Sequence, residues 1–258
     1  MSKTLTELKT DILADGIIDA TEVATLKEAI YADGVIDADE AKILFELNDA
    51  TTGKENAAEW GQLFVDAITD FVLADETTPN VVDAEEATFL IDNINGDGVV
   101  DTNELNLMVN IVSKAESCTD EFNQFVLNSV KAHVIADGVV DADEVNMIKT
   151  VIYGTGGAAG ADIDRTEADF LFDINDATTD NDGHHESWPQ LFVDAISSHV
   201  LDDAESPNEI DSDEGDWLIS RVEGDGEYDA NEKALLANIK AKATSIDGKL
   251  KFKMDMFA

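Results

Sequence analysis

The sequence predicts an all-α fold made of tandem-duplicated helix–loop–helix repeats with acidic loops, and three observations carry that expectation. First, long stretches repeat at an offset of 128. Pro79, Asp83 and Glu86 match Pro207, Asp211 and Glu214, and Leu63 to Ile68 reappears unchanged as Leu191 to Ile196. One position short of that offset, Asn48-Asp-Ala-Thr-Thr52 returns as Asn175-Asp-Ala-Thr-Thr179. Second, a shorter element, Asp-Gly-x-(Ile/Val)-Asp-x-x-Glu in its full form, recurs with its second Asp at 19, 37, 83, 101, 141, 164, 211 and 229. Repetition at such periods is the signature of stacked supersecondary units. Third, the segments between these elements carry apolar residues at helical spacing, and only three prolines interrupt the chain.

Taken in order, Leu5, Leu8, Ile12 and Leu13 form a first apolar stripe, and Val23, Leu26, Ile30 and Tyr31 a second. Trp60, Leu63, Phe64, Ala67, Ile68, Phe71 and Val72 form a third. Such stripes face a core. In three of the four loop pairs the acidic elements are 18 residues apart, whereas the pair at Asp141 and Asp164 is separated by a Gly/Ala-rich insertion around 154–160. The expected organisation is a first helical repeat domain at 1–118, its duplicate at 119–247 and a basic amphipathic tail at 248–258. In that tail Leu250, Phe252, Met254 and Met256 alternate with Lys249, Lys251 and Lys253, a period of two that predicts an extended segment. Its basic face suits an acidic surface, of its own chain, of a second copy or of a protein partner.

Each acidic loop can be laid on a twelve-residue cation loop, which needs oxygen ligands at positions 1, 3, 5, 9 and 12, a carbonyl at 7 and Gly at 6. The segment Asn93 to Glu104 fits best. Asn93, Asn95, Asp97 and Asp101 offer side-chain oxygens, Val99 a carbonyl, and Glu104 a bidentate carboxylate. Asp11, Asp15, Asp19 and Glu22 form a second candidate, with Leu13 at position 3. Asp33, Asp37 and Glu40, and likewise Asp137, Asp141 and Glu144, keep the second half of the pattern only. In the last loop Arg221 stands at position 1, and Glu223, Asp225, Asp229 and Glu232 remain.

These loops resemble those of the EF-hand superfamily. In the shortened form Ala-Asp-Gly-x-Ile-Asp-x-x-Glu they are similar to the TerB-like helical family linked to tellurite resistance and stress. The resemblance implies metal binding at Asp15, Asp19 and Glu22, with Asp33, Asp37 and Glu40. The 18-residue step, which makes the helix leaving one loop the helix entering the next, favours the TerB-like arrangement.

A plainer reading fits the same residues. Asp-x-x-Glu is a capping box, in which the Asp side chain accepts the N3 amide and the Glu reaches back to the N-cap amide. Gly ahead of it suits the left-handed end of the preceding helix. Capping leaves the extra Asp at 15, 33, 97, 137 and 225 without an evident role.

The net charge of −41 argues against nucleic acid as a partner. No apolar run is long enough for a membrane span. Cys118, the lone cysteine, excludes an intrachain disulfide and a Cys-based zinc cluster. His184 and His185 offer imidazoles, but a solvated loop is the simpler reading of Asp180 to Glu186. No phosphate-binding glycine loop and no nucleophile–histidine pair is present, so an enzyme is not expected. The expectation is a cytoplasmic protein binding Ca2+, or alternatively Mg2+ or another divalent cation, as a buffer or stress-response module. The alternative is a non-enzymatic scaffold whose acidic loops are mainly helix caps.

Overall fold

The computed structural model describes residues 4–74, 77–154, 163–179, 181–202, 206–224, 226 and 228–257. Asp225 and residues 155–160 of the Gly/Ala-rich insertion lie outside them. Among the described residues there are thirteen helices and four two-residue strands. The chain divides into two compact units, Met1–Ser129 and Val130–Ala258.

Unit 1 contains α1 (Leu5–Asp15), α2 (Ala20–Ile30), α3 (Ala38–Thr51) and α4 (Glu59–Leu73). After these come β1 (Val81–Val82), α5 (Ala84–Ile94), α6 (Thr102–Lys114) and β2 (Ser117–Cys118). The division between the units falls inside α7 (Asp120–Val134). Unit 2 continues with α8 (Ala142–Tyr153), α9 (Arg165–Thr178), α10 (Trp188–Leu201), β3 (Glu209–Ile210), α11 (Ser212–Val222), α12 (Ala230–Lys242), β4 (Ser245–Ile246) and α13 (Gly248–Phe257).

The apolar stripes become the core. Leu8, Ile12, Leu26, Ile30, Phe64 and Ile68 are buried, while Leu13, expected on the same face as Ile12, is 44% exposed. It follows Ile12 directly, so it projects about 100° round the helix from it. α4 packs against α2, α3 and α6, as α10 does against α8, α9 and α12. At the centre of unit 1 Phe45 meets Phe64 edge-on at 5.3 Å, and Trp60 lies 5.9 Å from Phe64. Their counterparts in unit 2 are Phe172 with Phe192 at 5.2 Å and Trp188 with Phe192 at 6.0 Å. Duplicated sequence has produced duplicated packing.

All eight Asp-x-x-Glu segments are formed capping boxes, each starting a helix, and Thr4 with Glu7 makes a ninth. The apolar residue before four of these caps does a second job. Ile18, Val82, Val140 and Ile210 are buried, and their carbonyls accept the amides of Ala57, Thr119, His185 and Asp247. At two of these places the pairing extends to a short parallel bridge, β1 with β2 and β3 with β4. Loop is thus stitched to loop four times, once per quarter of the chain.

The C-terminal segment is a helix, which corrects the extended tail expected from its alternation. Leu250 and Met254, four residues apart, are buried against α11, so the same letters that alternate also make a helical stripe. The side chain of Asp247 accepts the amides of Lys249 and Leu250 and starts the helix. Its lysines pair within the unit: Lys249 with Asp216 at 2.9 Å, and Lys253 with Glu223.

Candidate metal-binding loops

The best-fitting loop is built as a helix end, a turn and a helix start. Asn93 lies in the last turn of α5, where its amide donates to the Phe89 carbonyl at 2.7 Å, and Asn95 is the C-cap residue. Asp97 closes a tight turn by accepting the Val99 amide at 2.8 Å. Gly98 takes φ of 81°, which any side chain would strain. Val99 itself is 63% exposed. Asp101 is the N-cap of α6, accepting the amides of Asn103 at 2.8 Å and Glu104 at 3.0 Å, and Glu104 Oε2 accepts the Asp101 amide.

The same turn recurs at three further Asp-Gly steps. Asp15 accepts the Ile17 amide, Asp33 that of Val35, and Asp137 that of Val139, at 2.9–3.2 Å. The extra Asp, which capping alone leaves unexplained, therefore has a role in the fold as the acceptor in this turn. It holds the turn that aims the chain into the next cap.

The remaining candidates fall as follows. Asp19 with Glu22, Asp37 with Glu40, Asp141 with Glu144 and Asp229 with Glu232 are N-cap and N3 residues of α2, α3, α8 and α12. Asp11 is an exposed residue of α1. Glu223 pairs with Lys253. Arg221 bridges to α9, donating to the Asp169 carbonyl at 3.1 Å and to Asp173 at 2.6 Å. Among the described residues no group of three or more His, Cys, Asp or Glu side chains is arranged to hold a metal ion.

Two of these capping carboxylates, Glu104 in unit 1 and Glu232 in unit 2, are buried to 1% exposure. In Glu104 the Oε1 is buried without a hydrogen-bond partner. Burial pushes its carboxyl up to about 8, against the pull of the Asp101 amide, and the charges of Asp101, Asp49 and Asp97 push the same way. Asp49, on α3, is raised to about 6, first by burial and then by Asp97, Asp101 and Glu46. Four carboxylates from α3, the turn and α6 thus share one neighbourhood, with the orphaned Oε1 of Glu104 among them. Asp49 is the residue that loop-by-loop reading missed. The signal was present in the repeated Asn-Asp-Ala-Thr-Thr of α3 and α9.

That repeat has a visible purpose. Asn48, 1% exposed, donates to Asp101 Oδ2 at 2.8 Å, and Thr52 donates to the same oxygen. Asn103 in turn donates to Asn48 Oδ1 at 2.8 Å. In unit 2 Asn175 and Thr179 hold Asp229 in the same way, and Asn231 donates to Asn175.

The histidine pair also has a structural place. The amide of Val140 donates to His184 Nδ1 at 3.0 Å, so Nε2 carries the proton and donates to the Thr178 carbonyl at 3.1 Å. Asn56 spans the equivalent points in unit 1, accepting the Ile18 amide and donating to the Thr51 carbonyl. His184→Asn should therefore keep most of the stability. His184→Ala should lose about 1–2 kcal/mol for two broken bonds. Chemical denaturation of the two variants checks this, and equal losses would contradict it.

No protein-family model matches the chain, and no curated protein or solved structure matches it. No helix among the described residues is long and apolar enough to cross a membrane.

Proposed function

We propose that this protein binds a divalent cation at the carboxylate cluster of Asp49, Asp97, Asp101 and Glu104, and works as a cation buffer or a stress-response module. The observation that supports this is the buried, unpartnered Oε1 of Glu104 among three further carboxylates. A buried acceptor without a partner is costly, and a cation would satisfy it while relieving the repulsion around it. An all-oxygen donor set of high negative charge suits Ca2+ better than a softer metal. Binding would draw Asp97 from its turn bond and leave Oε2 of Glu104 in the cap. The loops elsewhere serve as turns and caps.

The second reading, a scaffold in which metal plays no part, is favoured by the completeness of the nine capping boxes. Calorimetric titration of Ca2+ into chelator-treated protein separates the two. The expected result is saturable heat and a raised melting temperature, with affinity reduced about tenfold by Asp49→Asn as one ligand charge is removed. No heat and no thermal shift would leave the scaffold reading.

A further inference from the structure

The two units differ at one place where their duplicated sequences would be expected to agree. In unit 1 a groove of about 1070 Å³ is walled by Tyr31, Val35, Phe71 and Phe89, with Ala38, Asp70 and Glu85 on its lining. Phe71 and Phe89 are packed 5.1 Å apart with their rings tilted by 60°. Val35 is 68% exposed, and Tyr31 donates to Asp70 at 2.8 Å.

The counterparts of Phe71 and Phe89 at the 128 offset are His199 and Trp217, also 5.1 Å apart. There the aromatic pair is covered by the chain's own cation: the Arg165 guanidinium stands 4.5 Å over the Trp217 ring. Arg165 is the first residue of α9, directly after its N-cap Asp164. The first residue of α3, directly after its N-cap Asp37, is Ala38. Unit 1 therefore keeps the aromatic pair and lacks the arginine that covers it in unit 2. Asp70 stands where unit 2 has Ser198, while Ala74, also on the groove lining, stands where unit 2 has Asp202, so the acidic charge is kept and the covering cation is not. Lys114 lines the groove as well, but Lys242 is its match in unit 2, so it does not account for the difference.

We propose that the unit 1 groove is a docking site for a basic protein segment, and that it seats an arginine side chain of that segment on the Phe71–Phe89 pair in the place Arg165 occupies in unit 2. A guanidinium stacks on an aromatic face, and its hydrogens would find acceptors in Asp70 and Glu85 on the groove lining. The methylene stem and neighbouring apolar residues of the segment meet Val35 and Tyr31. The groove's volume suits several residues of a peptide rather than a lone guanidinium.

The test uses the full chain in EDTA at about 0.15 M salt, where general attraction to an acidic surface is screened. The cation site is empty of metal under these conditions, so its failure or success has no bearing on the result. A fluorescein-labelled peptide of alternating leucine and arginine is titrated by anisotropy, beside its leucine–lysine and leucine–glutamine counterparts. Saturable binding of the arginine peptide is expected, weaker for lysine and lost for glutamine. Ala38→Arg, at an exposed position, should fill the groove from within and weaken binding about tenfold or more, as should Phe89→Ala. Far-UV circular dichroism confirms that both variants remain folded. Binding unchanged in Ala38→Arg, or equal for the arginine and lysine peptides, would overturn the proposal.

Discussion

Asp101→Ala is expected to lower the unfolding free energy by about 3 kcal/mol, well beyond the loss from the analogous change at Asp19. One carboxylate does two jobs here. Its Oδ1 accepts the amides of Asn103 and Glu104 and starts α6, and its Oδ2 accepts from Asn48 and Thr52 at the end of α3. Loss of an N-cap costs about 1 kcal/mol. Loss of Oδ2 strands the amide of Asn48, which is 1% exposed, and a buried donor without a partner costs about 1–3 kcal/mol more. At Asp19 the carboxylate accepts the amides of Thr21 and Glu22, so Asp19→Ala should cost the cap alone. Asp101→Asn should fall between, since its Oδ1 keeps the cap while an NH2 group would face that of Asn48. Asp229→Ala should repeat the large effect in unit 2 through Asn175 and Thr179. Urea unfolding of the four variants provides the comparison. Equal losses for Asp101→Ala and Asp19→Ala would show that the link to α3 carries no energy.

These networks mark the limit of what the residues disclose on their own. The capping boxes were legible because they are local: Asp and Glu three apart meet through the backbone geometry of one helical turn, whatever lies around them. The helical stripes were legible for the same reason. The docking of Asn48 onto Asp101 spans 53 positions, and only its duplication as Asn175 and Asp229 hinted that the two segments belong together. The Asp-Gly turns were not legible because a carboxylate that could bind a cation and one that accepts the amide two residues on look alike in a sequence. At the C-terminus, Leu250 and Met254 satisfy a period of two and a spacing of four at once. The 128 offset resolves the ambiguity, since it places 248–257 on 120–129, within α7. Phe122 and Val126 are buried there as Leu250 and Met254 are in α13. His184 is explained by the same comparison with Asn56. Asp49 lies on the inner side of a helix that the loop pattern did not include, and only the folded chain brings it to Glu104.

Glu104→Gln should make the cation-free protein more stable at pH 8, by an order of 2–4 kcal/mol, and should abolish its thermal response to Ca2+. The ordinary carboxyl value of 4.5 holds for the unfolded chain, whereas in the folded chain the group titrates at about 8. Between those values the folded chain holds a proton that the unfolded chain has released. Stability from this group is therefore greatest below about pH 4.5, falls as pH rises, and is lost above about pH 8. Glutamine is neutral throughout. It retains an oxygen for the Asp101 amide and does not force a charge into the site, so its melting temperature should lack this component of the decline with pH. Cation binding acts in the opposite sense, because an ion must displace the proton: affinity of the natural protein for Ca2+ should rise from pH 6 to pH 8, with proton release. The variant has lost the charge that makes the exchange worthwhile. Melting curves at pH 6 and pH 8, with EDTA or with Ca2+, therefore give a crossed pattern, the variant more stable without the ion and the natural protein gaining selectively with it. A variant that melts lower than the natural protein at pH 8 in EDTA would mean that Glu104 is held as a charged cap, and would remove the strain on which the cation site depends.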